Sequence, residues 1–128
     1  KSAVARSEWY DEAIGQLALF RACYLPDKFN LEETLSVAEK PNMPKMLYYV
    51  GCIYGEVYQD YEKAIEYLQK SAIRFPEHIP TKIKLALFYL EISKMAEVVE
   101  QIKMILALNP EHENALFQRK VFSMHYSE

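Results

Sequence analysis

The chain has 128 residues, of which 51% are hydrophobic and 26% charged, so it has the composition of one folded domain and not of a disordered segment. Its 18 acidic and 15 basic residues give a net charge of −3, which argues against nucleic acid as a partner because a phosphate backbone requires a basic surface. Only 3 glycines are present, which favours an all-α fold over β-sandwiches and nucleotide-binding α/β folds that need glycine in turns and phosphate loops.

The first segment, residues 1–26, is interpreted as a partial repeat that keeps the second helix of its unit. Trp9 to Phe20 has helical periodicity, and the pattern stops near Pro26. A helix preceding it would be missing or reduced to residues 1–6. Because the chain begins with Lys and not Met, we expect it to be a processed or excised piece of a longer protein.

Residues 27–43 are interpreted as a helical insertion. Asn30 followed by Glu33 predicts the capped start of a short helix, since an Asn side chain can accept the N–H three residues on. An apolar stripe follows as far as Ala38, and Lys40-Pro41 predicts the end of the helix.

Residues 44–76 and 77–110 are two units with the same layout. Each predicts a helix, a polar break and a second helix, and each ends at a proline, which cannot continue a helical hydrogen-bond ladder. The tripeptide Pro76-Glu77-His78 recurs as Pro110-Glu111-His112, 34 residues later. The spacing predicts an internal repeat of helical hairpins.

Residues 111–128 predict a terminal capping helix. Leu116, Val121 and Phe122 give it an apolar side, but Arg119 and Lys120 stand where a repeat has core-facing residues. A polar outer face is what the last helix of a stacked array requires. The alternative is a truncated array.

The two units resemble the tetratricopeptide repeat, whose pattern is W-x2-L-G-x2-Y, A-x3-F and P over 34 residues. The matching positions are Leu47, Val50, Gly51, Tyr54, Ala64, Leu68 and Pro76, and then Lys82, Leu85, Ala86, Tyr89, Val98, Ile102 and Pro110. The interval from Tyr54 to Ala64 is one residue longer than its counterpart, which is similar to Sel-like repeats, and Lys82 replaces a large apolar residue. The resemblance implies a single domain, residues 1–128, built as an all-α superhelical stack of about seven helices.

In this family the first helices of successive units line a concave groove that holds a partner peptide or helix. Transferred to this chain, the resemblance implies a groove lined by Lys45, Tyr48, Tyr49, Cys52, Ile83, Lys84, Leu87, Phe117, Gln118 and Val121. This lining is mostly apolar, which favours an apolar peptide or an amphipathic helix. The carboxylate clamp of chaperone-binding relatives is not assembled, since Cys52 and Leu87 stand where it needs Asn. The groove is either open or covered by residues 27–43 or by further parts of the parent chain.

The function expected from these features is that of a non-catalytic adaptor or scaffold that binds another protein. The alternative is a structural or oligomerisation segment of a larger assembly. No phosphate loop, nucleophile elbow or zinc-protease motif is present, and Asp60 and Glu62 are interpreted as a turn and helix start. His78 and His112 are expected to be solvent-exposed turn residues. We therefore expect neither an enzyme nor a metal or cofactor site.

The remaining expectations concern compartment and core. Cys23 and Cys52 lie in apolar helical patterns, which favours two buried free thiols over a disulfide and indicates a reducing, cytoplasmic setting. No apolar run approaches the ~20 residues that cross a bilayer, so no membrane insertion is expected. Among the 10 tyrosines, most are expected to fill the core, while Tyr48 and Tyr49 are candidates for contact with a partner.

Overall fold

A computed structural model gives the fold and describes the backbone of residues 3–112 and the side chains of residues 10–112. This part of the chain is all-α, as predicted, and contains no strand. Its helices are α1 (Ala3–Tyr24), α2 (Leu31–Ala38), α3 (Met46–Glu56), α4 (Tyr61–Arg74), α5 (Ile79–Glu91) and α6 (Met95–Leu108), with a short 3-10 helix (Pro26–Lys28) after α1. The predicted capping helix lies beyond His112 and outside the described residues.

The N-terminal part is one uninterrupted helix. The sequence left open a separate short helix over residues 1–6. In the structure, residues 3–6 instead continue directly into the predicted Trp9–Phe20 segment. Pro26 then opens the 3-10 helix, and Asn30 caps α2. The Asn30 Oδ1 accepts a hydrogen bond from the backbone N–H of Glu33 over 2.9 Å, which confirms the predicted cap.

Two helical hairpins follow, α3 with α4 and α5 with α6. The turn of the first, residues 57–60, is one residue longer than residues 92–94 of the second, as the repeat spacing predicts. Each turn contains one residue in the left-handed region, Gln59 with φ 56° and Ser93 with φ 60°. Asp60 then caps α4 through Oδ1, which accepts a backbone N–H over 3.2 Å and confirms its predicted place at a helix start.

Successive helices pack against one another along the chain. In the described part, α1 packs on α3, α3 on α4, α4 on α5 and α5 on α6, while α2 packs on α3 and α3 also touches α5. Side chains at the repeated positions fill one core. The most deeply buried of them are Val50, Ala64, Leu68, Leu85, Val98 and Ile102. No single hairpin could bury these apolar faces alone, so each hairpin depends on its neighbour.

Tyrosine side chains contribute a large part of this core. Tyr54 and Tyr89 are buried, and Tyr61 and Tyr67 pack half-buried against the cluster, which confirms the expectation for these four residues. The rings of Tyr54 and Tyr67 stack with centroids 5.6 Å apart, joining α3 to α4. Aromatic pairs of this kind add stability beyond the area that they bury.

Lys82 occupies a core position although it is charged. The residue is 3% exposed, and its Nζ donates a hydrogen bond to the carbonyl oxygen of Pro76. Burial lowers the pKa of Lys82 below its ordinary value. The aliphatic stem thus replaces the large apolar side chain of the repeat pattern. The ammonium group reaches the last residue of the preceding unit, Pro76.

Gly51 lies where α3 approaches α4 closely. A Cβ at this position would stand 2.7 Å from Cγ of Leu68 and 3.2 Å from the carbonyl oxygen of Ala64. Gly51→Ala should therefore lower the free energy of unfolding by about 1–3 kcal/mol through overpacking, whereas helix propensity alone predicts a gain of about 1 kcal/mol. Urea unfolding measures the sign. In a Leu68→Ala background the same change should cost less, because the two Leu68 atoms closest to the new Cβ are gone.

Candidate functional site

A cavity of about 300 Å³ opens at the start of α3, and we call it the tyrosine cavity. Its walls come from four helices or their ends, and its lining residues are Glu12, Lys45, Tyr48, Tyr49, Ser71, Phe75 and His78. Three of these residues, Lys45, Tyr48 and Tyr49, belong to the groove predicted from the sequence. None of the described lining residues comes from the insertion, so residues 27–43 do not cover this part of the face.

Helix ends meet at this cavity, which is why residues far apart in sequence converge there. Lys45 precedes the first turn of α3, Phe75 directly follows the last residue of α4, and His78 is the residue before α5. Helix α1 supplies Glu12 from the other side through its packing on α3. The two hairpins bring α3 and α5 into contact, and α1 closes the remaining wall.

Two tyrosine rings and an imidazole form the aromatic walls. The ring of Tyr48 meets Tyr49 edge to face at 5.0 Å between centroids and meets His78 in the same way at 5.2 Å. The Tyr49 hydroxyl donates a hydrogen bond to the Glu12 carboxylate. A Cβ at Gly15 would overlap the Tyr49 ring, so only glycine lets α1 approach this closely.

The expectation of solvent-exposed turn residues is wrong for both histidines, since His112 is half-buried and so is His78. Its Nδ1 lies 2.7 Å from Oγ1 of Thr81, which in turn lies 3.3 Å from Oγ of Ser71. Both hydroxyls belong to buried residues. The sequence did not show this burial because it results from the Tyr48 ring, which comes from the preceding unit.

The aromatic groups of the cavity are neutral at neutral pH. Burial raises the pKa of Tyr48 and of Tyr49 above the ordinary phenol value. Burial also lowers the pKa of His78 below its ordinary value, although Glu12 opposes part of that shift. The lining therefore combines neutral aromatic walls with two charged groups of opposite sign, the Glu12 carboxylate and the Lys45 ammonium.

The predicted groove residues on α5 lie beside α3. Lys84 forms an ion pair with Glu56 of α3, so its charge is already matched within the chain. Ile83 is half-buried against the core, and Leu87 is 37% exposed. Leu87 is therefore an apolar side chain of α5 that a partner could contact, as is Leu90, which is 40% exposed.

The two buried residues of the predicted groove have different roles. Tyr49 is 6% exposed but still forms a cavity wall, whereas Cys52 is fully buried and supports α3 from within. The other predicted members, Phe117, Gln118 and Val121, lie outside the described residues. Sequence inspection missed Glu12, Ser71, Phe75 and His78. Only the recurring Pro-Glu-His tripeptide signalled one of them, since it placed His78 at the start of a first helix.

The cysteines differ in environment, and labelling should show it. Both are free, but Cys23 is exposed, so the expectation of two buried thiols is wrong for Cys23. Burial raises the pKa of Cys52 from 9.0 to about 12, which suppresses the reactive thiolate. One thiol per chain should react rapidly with a disulfide reagent in the folded protein, and both in denaturant. Cys23→Ser should abolish the rapid phase, and a rapid phase that survives this change would contradict the assignment.

No family model matches the chain, and no curated protein matches it either. Within the described residues, no cluster of three His, Cys, Asp or Glu side chains is arranged to hold a metal ion. The same part of the chain contains no helix whose length and apolarity would allow it to cross a bilayer.

Proposed function

We propose that the chain is a non-catalytic, tetratricopeptide-like module that binds a segment of another protein on the face formed by α3 and α5. The observation that carries this proposal is the tyrosine cavity, in which three groove residues predicted from the repeat register meet at one concave site. Concave sites with apolar or aromatic walls and a few polar groups are where ligands bind most often.

The lining favours an apolar or aromatic anchor side chain in the partner. Tyr48 and Phe75 offer ring surface, and the Tyr48 phenol stays protonated near neutral pH. Burial of such an anchor contributes roughly 25 cal/mol per Å² of apolar area, less the cost of ordering the partner segment. Leu87, one helix further along, provides a second apolar contact for a peptide or amphipathic helix.

Binding should depend on Leu87. Leu87→Glu places a charge on the partner-facing side of α5 and should weaken a bound peptide about tenfold, because an apolar contact is replaced by a group that must be desolvated. The measurement is fluorescence anisotropy with peptides selected from a displayed random library on the native domain. Ile73→Glu is the matched control, since Ile73 is 80% exposed on α4 and does not line the cavity. An equal loss of peptide affinity in both variants, or no loss in either, would show that α5 is not part of the binding site.

A second candidate function is a structural segment of a larger assembly, including a homo-oligomer. Its support is the exposed apolar side of α1, where Tyr24 is 72% and Phe20 51% exposed and their rings lie 5.1 Å apart. Apolar surface of this kind is typical of a face that another chain covers. Light scattering across concentration separates the two candidates, because a monomer supports the adaptor and a tight dimer supports the structural segment.

The proposed setting is the cytoplasm. The two free thiols support a reducing compartment, in which an exposed residue such as Cys23 stays unpaired.

A further inference from the structure

A second cavity, of about 370 Å³, opens between α1 and the insertion, and we call it the insertion cleft. Helix α2 packs on α3, while the chain between α1 and α2 turns through the 3-10 helix Pro26–Lys28. The insertion therefore forms one wall and α1 the facing wall. The cleft shares no lining residue with the tyrosine cavity.

The floor of the insertion cleft is apolar. Met43 and Met46 are 5% and 1% exposed, and they lie beneath the half-buried side chains Ile14, Ala18 and Val37 that also line the cleft. Methionine side chains adapt to the shape of an apolar ligand because they are unbranched and flexible. This floor suits an aliphatic chain.

The rim of the cleft is cationic. The cations that line the rim are Arg21, Lys28 and Lys40. The described lining contains one carboxylate to oppose them, that of Glu33. This positive excess stands out in a chain whose net charge is −3. Within the described residues none of the three cations has an ion-pair partner. An anion bound at the rim would supply the missing counter-charge.

We propose that the insertion cleft binds a single-chain amphiphile whose head group is a carboxylate or a phosphate. The aliphatic chain would lie against Ile14, Ala18 and Val37, above the two methionines. The head group would face the three cations of the rim. The cavity volume of about 370 Å³ lies near the lower end of roughly 300–1,000 Å³ for small-molecule sites. That size favours one slender chain over a protein helix, which would need a longer groove.

The first test compares head groups on one chain length by isothermal titration calorimetry of the full 128-residue chain. Dodecanoate and dodecyl phosphate, both below their micelle concentrations, should bind at least tenfold more tightly than dodecyltrimethylammonium, since exposed charge pairs each contribute a few-fold in affinity. Acetate and inorganic phosphate should bind too weakly to detect. Shortening the carboxylate should weaken binding by about fourfold per methylene that leaves the floor. The carboxylate and phosphate arms show which head group the rim prefers.

Two variants place the binding in the cleft. Ala18→Leu fills the floor from α1 with a good helix former and should abolish dodecanoate binding. Arg21→Ala with Lys40→Ala should weaken it about tenfold, at roughly threefold to fivefold for each exposed cation. Lys94→Ala is the matched control, because Lys94 is an exposed lysine outside the cleft, and it should bind as the native chain does. Circular dichroism confirms that each variant keeps its helices.

Amide chemical shifts then locate the ligand. Dodecanoate should perturb residues of α1 and of 27–43, and not those of the tyrosine cavity. Equal affinity for anionic and cationic head groups, or unchanged binding in folded Ala18→Leu, would overturn the proposal. So would self-association that Ala18→Leu removes, because a second copy would then occupy the cleft. Peptide binding at the α3–α5 face is measured separately with Leu87→Glu, so either proposal can fail alone.

Discussion

Asp11→Ala should lower the free energy of unfolding by about 1–3 kcal/mol, because it leaves the backbone N–H of Lys45 without its acceptor. Asp11 is 1% exposed on α1, and its Oδ2 accepts the backbone N–H of Lys45 over 2.8 Å. The other carboxylate oxygen, Oδ1, is buried without a hydrogen-bond partner among the described residues, and the N–H of Met46 donates to the carbonyl oxygen of Met43. No side chain of α3 itself caps the start of this helix, so a residue from another helix caps it. Urea unfolding followed by circular dichroism measures the loss.

Asp11→Asn separates the capping role from the charge. The amide oxygen can still accept an N–H, so this variant should lose less than about 1 kcal/mol. Burial is the main cause that raises the pKa of Asp11 above its ordinary value of 3.8. The folded chain therefore binds this proton more tightly than the unfolded chain, and the contribution of Asp11 to stability falls as pH rises from 3.8 through the raised pKa.

The measurement for the pH effect is the difference in unfolding free energy between the native chain and Asp11→Asn across acidic pH. The native chain should lose stability relative to Asp11→Asn as pH rises through this window. Glu33→Gln is the control, because Glu33 is an exposed acid on α2. A native chain that gains stability relative to Asp11→Asn over the same window would show that the hydrogen bond from Lys45 outweighs the effect of burial.

Local signals predicted the helices and their ends. Asn30 and Asp60 cap helices because their side chains reach an N–H three residues on, a contact that depends on neighbouring sequence alone. Proline at positions 76 and 110 follows the ends of α4 and α6 for a similarly local reason. The exposure of Cys23 was not predictable in this way, because it depends on which elements pack on α1.

The candidate site was predicted in part. The residues that were missed are held by contacts between positions far apart in sequence. The repeat register placed Tyr48 and Tyr49 on either side of the core face of α3, and both line the tyrosine cavity. Glu12 lies 37 residues from its hydrogen-bond partner Tyr49, and the capping contact of Asp11 spans 34 residues. No periodicity within either helix encodes these pairs, so only the packing of α1 on α3 reveals them.

Ile102→Ala should cost about 3 kcal/mol in unfolding free energy, the typical loss when a large core side chain is truncated. Ile102 is 2% exposed on α6, which packs on α5. Met104→Ala on the same helix is the matched control, since Met104 is 39% exposed and its loss should stay within about 0.5 kcal/mol. Thermal unfolding measures both variants, and equal losses would contradict the burial assigned to Ile102.

The helices that lose protection in Ile102→Ala distinguish a stack of repeats from a single cooperative core. In a stack, stability is close to a sum of units and their neighbour interfaces, so destabilising one end leaves the other end protected. Native-state hydrogen exchange of Ile102→Ala should therefore accelerate most in α5 and α6 and least in α1, which among the described helices packs on α3. Uniform acceleration from α1 to α6 would show that the helices unfold together. The tetratricopeptide-like architecture, on which the proposed groove depends, would then lose its support.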